Sequence, residues 1–390
     1  MEAEKKLTLF EASSVVAGLG VGGGVMAVPY LASLNGIATV AAVMVSAYIV
    51  SLLLHLMVAE VVLRDEKARQ LVEIFGKYLF VKSWWGSVLT WLFFGLIVVT
   101  FYSLLAAYLV GCAELIEQLT GLPVFAGEVV TYAIAAGVVF FGLKAIGLSE
   151  KYAVIGIAAV LVILSVGSLG NSFNPIPFIR GGSREVFAFY GMLMFSFACF
   201  FSVPQAVEGL SWNKKLVPYA VAIGIAINLC FAFVITLMSM LVSKEVTEVA
   251  ILGWGEAVGG WALVLGAVFA FLAMMTSYWA VSYALAVILE ERLNWGYRAS
   301  WLAATFPTLI LALVGIAGFR DFLRYAGGAM AVLVALLIVP ALRKSRRLGE
   351  VKDPAFDMGI WGTTTFQLIV IAAYVLMAIG SVVPVGEVAP

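Results

Sequence analysis

Apolar residues in this chain come in long unbroken runs. Strict alternation and narrow amphipathic stripes, which mark soluble strands and helices, are scarce. Eleven runs are long enough to cross a hydrocarbon core of about 30 Å as helices. They cover roughly 8–34, 36–63, 84–116, 124–143, 151–170, 186–210, 216–242, 260–289, 299–317, 321–341 and 361–384. The first run is unusual inside. Residues 18–30 read GLGVGGGVMAVPY, with Gly18, Gly20, Gly22, Gly23 and Gly24 in seven positions and Pro29 after them. Glycine and proline at this density break a helix. In lipid such a break is tolerated only where the freed backbone groups line a cavity or are buried in protein. Close helix packing also uses glycine, but five glycines and a proline exceed what packing needs. The pattern therefore predicts two half-helices meeting near the midplane.

Between the runs, polar segments are short. The segment 64–83 carries Leu71, Ile74, Phe75 and Tyr78 among charges, which predicts a short amphipathic helix lying on the membrane. The segment 171–185, NSFNPIPFIRGGSRE, has turn composition. Composition agrees with a polytopic membrane protein: 63% of residues are hydrophobic and 12% charged, against roughly a quarter charged in soluble proteins. The net charge is zero, which leaves no basic field for nucleic acid. No short apolar core with a small-residue cleavage site follows the charged MEAEKK start, so no cleavable signal is expected. Cys112, Cys199 and Cys230 all lie in apolar runs and read as free buried thiols. Lys and Arg set the orientation. With the N-terminus inside, 18 of them fall in cytoplasmic segments and five outside. The expected placement is the cell membrane, N-terminus cytoplasmic and, with an odd span count, C-terminus outside.

Span 6, FYGMLMFSFACFFSVPQAVEGL, repeats the first span's theme: Ser196, Ala198, Cys199 and Ser202 in mid-membrane, then Val203-Pro204, as span 1 has Val28-Pro29. The two spans lie five apart and so run in opposite directions. Interrupted helices at matching places in opposed halves point to an inverted repeat around a midplane site. Gly18-x-Gly20-x-x-Gly23 also matches the dinucleotide fingerprint, but no strand precedes it and position 43, where an acidic residue belongs, is Val, so the match is dismissed.

The run GGGVMAVPYLASLNG resembles the first-helix signature of amino acid permeases of the amino acid–polyamine–organocation superfamily. It is most similar to the amino acid/auxin permease and hydroxy- and aromatic amino acid permease branch. Span 6, with its proline followed by Glu208, resembles the family's sixth helix. FAFLAMMTSYWAVSYALAVILEERL resembles the eighth, with the pair Thr276-Ser277. FPTLILALVGIAGFRDFLRYAGGAMAVLVALLIVP is similar in outline to the ninth and tenth. The resemblance covers nearly the whole chain. It implies an all-α membrane protein of the leucine-transporter type, a five-plus-five inverted repeat with helices 1 and 6 broken, and one extra C-terminal helix. The chain 1–390 is then one transport unit, with repeat one at about 8–170, repeat two at about 186–341 and the extra helix at about 361–384.

An amino acid offers a carboxylate, an ammonium and a side chain. Gly22, Gly23 and Gly24 open the outer half-helix of span 1, where free N–H groups and the positive helix end suit the carboxylate. Carbonyls of the unwound stretches, Ala17 to Leu19 and Ser196 to Cys199, suit the ammonium. No buried Asp or Glu is evident to pair with it. Phe197 and Phe200 are candidates for the side-chain pocket, with Tyr102 behind them, although aromatics are common throughout the chain. By resemblance, Thr276, Ser277 and the carbonyls of Ala17, Gly20 and Ala273 form a Na⁺ site, since hard cations take oxygen ligands. These hydroxyls can equally bond back to their own helix. Proton-coupled relatives can place a Lys in mid-span 5; AVIGIAAVLVILSVG has none, and Lys151 stands at its cytoplasmic start, which favours Na⁺ over H⁺. His55, the one histidine, reads as a satisfied interhelical partner. Glu11 and Glu208 could pair with Lys5, Lys6, Lys214 or Lys215 as an inner gate.

The leading expectation is a cation-coupled symporter of neutral amino acids, aromatic or hydroxylated, working by alternating access, with no cofactor beyond the coupling ion. A proton-coupled or uncoupled exchanger, or a sensor without net transport, are the alternatives. One histidine and no midplane carboxylate pair argue against an enzyme. A metal-ion carrier on this fold would need an Asp in span 1 and a Met-Pro-His-like turn in span 6, and neither is present.

Overall fold

The first predicted span is two helices. The computed structural model describes residues 6–80, 83–315 and 328–383. There Thr8 caps α1 (Leu9–Val21) through a reciprocal box with Glu11, and α2 (Gly23–Ser33) follows at a 56° bend. Then come α3 (Ile37–Leu63), α4 (Leu71–Tyr78), α5 (Trp84–Thr120), α6 (Val124–Phe140) and α7 (Leu143–Gly167). The sixth span is also split, into α8 (Ser183–Ser196) and α9 (Val203–Gly209), with residues 197–199 outside any helix and one 3₁₀ turn at Phe200–Ser202. α10 (Val217–Val242), α11 (Ala250–Val258), α12 (Gly260–Leu293), α13 (Tyr297–Val314), α14 (Gly328–Leu348) and α15 (Thr364–Val382) complete the order.

Every regular element among the described residues is helical. Seven single helices are long and apolar enough to cross a membrane, the split stretch of α8 and α9 makes an eighth and α1 with α2 a ninth; α6 is a shorter apolar helix. The first residues of the expected span 321–341 lie outside the described residues, and α14 begins within it. Two boundaries move. α7 starts at Leu143, not 151, and a short helix, α11, fills what reads as a loop. Gly259, at φ 140°, makes the turn from α11 into α12 that a residue with a side chain would resist.

α1 packs on α7, α10 and α12, while α8 packs on α2 and α15. The two split spans therefore sit at the centre. The segment before α8 caps its neighbour: the N–H groups of Gly36, Ile37 and Ala38, unpaired at the start of α3, donate to the carbonyls of Arg180, Pro177 and Phe178 at 3.0–3.2 Å. α4 forms as expected, but its apolar face, Leu71, Val72, Ile74, Phe75 and Tyr78, is buried in protein against α5 and α14 instead of lying on lipid. Cys112 and Cys199 are buried and free as expected; Cys230 is free but exposed.

Ion pairs fasten the end of the molecule where α3, α4 and α14 meet. Glu60 is fully buried and accepts from Arg346 Nε and Nη2 at 2.8 Å each, from Arg64 Nε at 3.0 Å and from the N–H of Met358 at 3.1 Å. Beside it Lys77 binds Asp65 at 2.6 Å and Glu350 at 2.8 Å. The Lys77 ammonium and the N–H of Glu66 hold the Glu350 carboxyl below its ordinary value of 4.5. A carboxylate lowered on folding lends stability that is present above its unfolded value and is lost as pH falls through the folded one. The melting temperature should therefore decline below pH 4.5, and Glu350→Gln should flatten that limb. The pair is partly exposed, so its share is below about 1 kcal/mol. An identical acid limb in the variant would remove Glu350 from the account.

Candidate substrate and cation site

Backbone meets backbone where the split spans cross. Gly22 alone leaves helical geometry in span 1, and Gly23 opens α2. In span 6 the N–H of Phe197 still reaches Leu193, but the N–H of Cys199 turns back to the carbonyl of Phe197 at 2.9 Å. A Cβ on Gly24 would stand 3.0 Å from the Cα of Ser196, and one on Gly20 would stand 2.9 Å from the carbonyl oxygen of Ser196. The glycines let the two helices touch at their main chains.

The expected unwinding of Ala17 to Leu19 is corrected. Ala17, Gly18, Leu19 and Gly20 remain in α1, and the break falls one turn later, at Gly22. Gly18 and Gly20 serve close approach instead. A Cβ on Gly18 would overlap the Glu150 carboxylate, and one on Gly20 would overlap the Asn228 side-chain amide. In span 6 the expected unwinding holds for Phe197 to Cys199, while Ser196 is still helical as the last residue of α8.

Hydroxyls from two other helices reach the first break. Ser277 of α12 donates to the carbonyls of Gly18 (2.9 Å) and Leu19 (3.2 Å) and hydrogen-bonds with the Tyr108 hydroxyl of α5. A Cβ on Gly22 would meet both hydroxyls. Ser277 thus sits where the cation set was expected, with carbonyls of Gly18 and Leu19 in place of Ala17 and Gly20. Thr276 donates at 2.9 Å to Ala273 on its own helix. Phe197 and Phe200 are buried beside the second break. The Phe197 carbonyl accepts from Ser51 at 3.3 Å, and the Phe200 ring meets Phe201 at a tilt, 5.0 Å between centroids, while Phe201 meets Phe101 edge-on at 4.8 Å. Tyr102 is not part of this cluster: its hydroxyl donates to Ala303 of α13 at 2.7 Å. The expected interhelical bond of His55 is corrected: Nδ1 pairs at 2.6 Å with the Ser51 carbonyl of its own helix, and Nε2 is buried without a partner. Glu11 finds Lys144, at 2.6 Å, as its partner.

Residues 5–381 match the model of the tryptophan/tyrosine permease family. The chain belongs to that family. No curated protein matches the permease's sequence. Among solved structures it is similar to MhsT in complex with L-phenylalanine (TM-score 0.70, 13% identity, 97% of this chain and 99% of that one). It is also similar to Mhp1, a nucleobase-cation-symport-1 family transporter in a closed conformation with bromovinylhydantoin bound (0.67, 15%, 97% and 91%). A manganese transporter of Eremococcus coleocola, solved as a mutant, aligns at 0.64 with 13% identity over 95% of this chain and 85% of that one. At such identities the likeness is one of fold. The permease has the leucine-transporter type of fold, and its family and these neighbours are transporters.

Two polar residues escaped the sequence reading. Asn228 of α10 is fully buried, and neither its oxygen nor its nitrogen has a partner. It lies where α1 and the Ser196 carbonyl converge. As the only side-chain amide in its span it was visible in the sequence. Glu150 of α7 is fully buried with both carboxylate oxygens unpartnered. A span drawn from 151 leaves it in a loop, where it draws no notice.

Proposed function

We propose that the permease carries an aromatic amino acid across the membrane together with a monovalent cation, with the crossing of the two helix breaks as substrate site. The observation that carries this reading is the convergence of Gly20, the Ser196 carbonyl and the unpartnered Asn228 amide in a water-excluded place. A buried amide with four unmet hydrogen-bonding positions favours a polar ligand. The N–H groups of Gly23 and Gly24 at the start of α2 would take the carboxylate, and the carbonyls of Ser196 and Phe197 the ammonium. Phe197, Phe200 and Cys199 would border the side chain. The L-phenylalanine bound by MhsT and the family's own description support an aromatic side chain.

For the cation we carry forward Na⁺, held by the hydroxyls of Thr276 and Ser277 and carbonyls of Ala17, Gly20 and Ala273. The donor set fits a hard cation, and Ser277 already bridges α12 to carbonyls of α1. The same reading places the chain in the amino acid–polyamine–organocation superfamily, near its aromatic and hydroxy amino acid branch. It makes residues 1–390 one unit of two inverted repeats and an extra helix, N-terminus cytoplasmic and C-terminus outside. Alternating access would follow from motion of one helix group against the other.

Thermal unfolding of the purified permease with each amino acid, in Na⁺ and in a Na⁺-free salt, tests this. A ligand at a hundred times its Kd stabilises the native state by about 2.7 kcal/mol. Tryptophan, tyrosine or phenylalanine should raise the melting temperature, and more so in Na⁺. Equal shifts in both salts would discard Na⁺ coupling; no shift with any amino acid would discard the substrate class.

A further inference from the structure

Ser51 and His55, one turn apart on α3, face the second break. Ser51 donates to the Phe197 carbonyl, and the His55 ring meets the Phe200 ring, 6.0 Å between centroids at a 42° tilt. His55 is fully buried. Its Nδ1 lies against the carbonyl of Ser51. A carbonyl only accepts, so Nδ1 carries the hydrogen, and in the neutral ring Nε2 is left as an acceptor with no hydrogen of its own. That acceptor has no partner. With Nδ1 held to the main chain of α3, Nε2 on the opposite edge of the ring is turned away from that helix, toward span 6.

Phe200 is one of the residues proposed to border the substrate's side chain, so the unmet acceptor stands at that border. The polar side chains beside it do not compete for the role. The Ser51 hydroxyl and the Cys199 thiol both end on the Phe197 carbonyl. The Ser202 hydroxyl is unpartnered, but a hydroxyl both donates and accepts and so favours no one kind of ring. A buried acceptor left unmade is costly, and a ligand that brings the hydrogen removes that cost. Among aromatic amino acids, tryptophan brings an indole N–H and tyrosine a phenol O–H; phenylalanine brings neither.

We propose that His55 selects among aromatic substrates: its Nε2 accepts a hydrogen bond from the indole N–H of tryptophan or the phenol O–H of tyrosine, and phenylalanine binds more weakly for want of one. This rests on the reading of the helix crossing as the substrate site. The backbone groups of the two breaks meet the carboxylate and ammonium that every amino acid carries, so they cannot make the distinction. A side-chain acceptor can, because a site built to pair a substrate N–H or O–H rejects the analogue that leaves it unpaired.

His55 is the chain's one histidine, so nitrogen-labelled histidine in the full-length permease reports on it alone by magnetic resonance. Without ligand, one ring nitrogen should carry a hydrogen and the other none. Saturating tryptophan should move the signal of the bare nitrogen; a signal that stays in place would overturn the proposal. Binding isotherms give the second readout. Benzothienylalanine has the shape of tryptophan with sulfur in place of the ring N–H. The wild type should bind it about tenfold more weakly than tryptophan. His55→Leu should bind the two alike. His55→Gln, whose amide can donate to the Ser51 carbonyl and still present an oxygen, should keep part of the preference. Equal affinities in the wild type would overturn the role of His55, whether or not the variants fold, and would leave the substrate site standing. Absence of binding by tryptophan, tyrosine and phenylalanine alike would overturn the substrate reading and this proposal with it.

Discussion

Glu60→Gln should be the most destabilising single change at a polar position of the permease, costing about 3–5 kcal/mol. The side chain is fully enclosed and holds two arginines, Arg64 from its own helix and Arg346 from α14, with the N–H of Met358 on the same oxygen as Arg346 Nη2. Arg64 also spans to the Lys352 carbonyl at 2.9 Å and to Asp357 at 2.8 Å. One carboxylate therefore gathers α3, α14 and the segment between α14 and α15. Glutamine keeps the shape but offers its N–H groups to arginines that can only donate. What remains is two guanidinium groups with Asp357 as the one carboxylate left between them, the Arg64 side chain only 6% exposed. Thermal unfolding of the variant should show a large drop. The double variant Glu60→Gln/Arg346→Met should recover part of it, since it removes the stranded charge as well. A single variant that melts with the wild type would show that the cluster is ornamental.

Glu60 also shows why parts of this molecule stay hidden in its sequence. Four residues before Arg64, at the edge of an apolar run, it reads as a solvated helix end. Its decisive partner is Arg346, 286 positions away, and no local pattern records that distance. Glu150 is hidden in a similar way. In GLSEKY it stands between Ser149 and Lys151, a composition that places a span boundary there, and only the packing of α7 on α1 shows it buried at Gly18. The glycine cluster was legible as a broken span because glycine and proline act on the backbone locally. The position of the break was less so: five glycines look alike in a sequence, yet Gly18 and Gly20 admit side chains from α7 and α10 while Gly22 makes the turn. Span 6 was located to within one residue at its start, since its break follows from polar and small residues leading into Pro204. Thr276 and Ser277 were found as a pair, but only the fold separates their roles, one bonded within α12 and one reaching across to α1.

Two polar groups near the helix breaks thus share a property: each is buried without a partner, and each faces a glycine of α1. Asn228 faces Gly20 and Glu150 faces Gly18. Two residues apart on a helix, these glycines point about 200° from each other, so the two groups approach α1 from different sides. A substrate bound at the crossing would therefore press on α1 from the side away from Glu150, and it can bias movement of α1 only through different contacts in the two states.

Gly20→Ala should cost the largest loss of function, about a hundredfold in affinity for an aromatic amino acid, equivalent to about 2.7 kcal/mol. The added methyl would overlap the Asn228 amide and stand 2.9 Å from the Ser196 carbonyl oxygen. The amide can turn away, but the carbonyl belongs to backbone and must move with α8. Both groups proposed to meet the substrate are displaced by one carbon. Alanine keeps the helical backbone of α1, in which Gly20 lies, so the strain falls on the contacts with Asn228 and Ser196 and lowers the ligand-free melting temperature as well. Loss of the shift that tryptophan adds to the variant's own ligand-free melting temperature is the expected signature. Gly95→Ala and Gly137→Ala, where an added Cβ meets nothing within 4 Å, should bind as the wild type does and serve as controls. If Gly20→Ala is stabilised by tryptophan as strongly as they are, the substrate does not occupy the crossing of the two breaks, and the site must be sought elsewhere along α1.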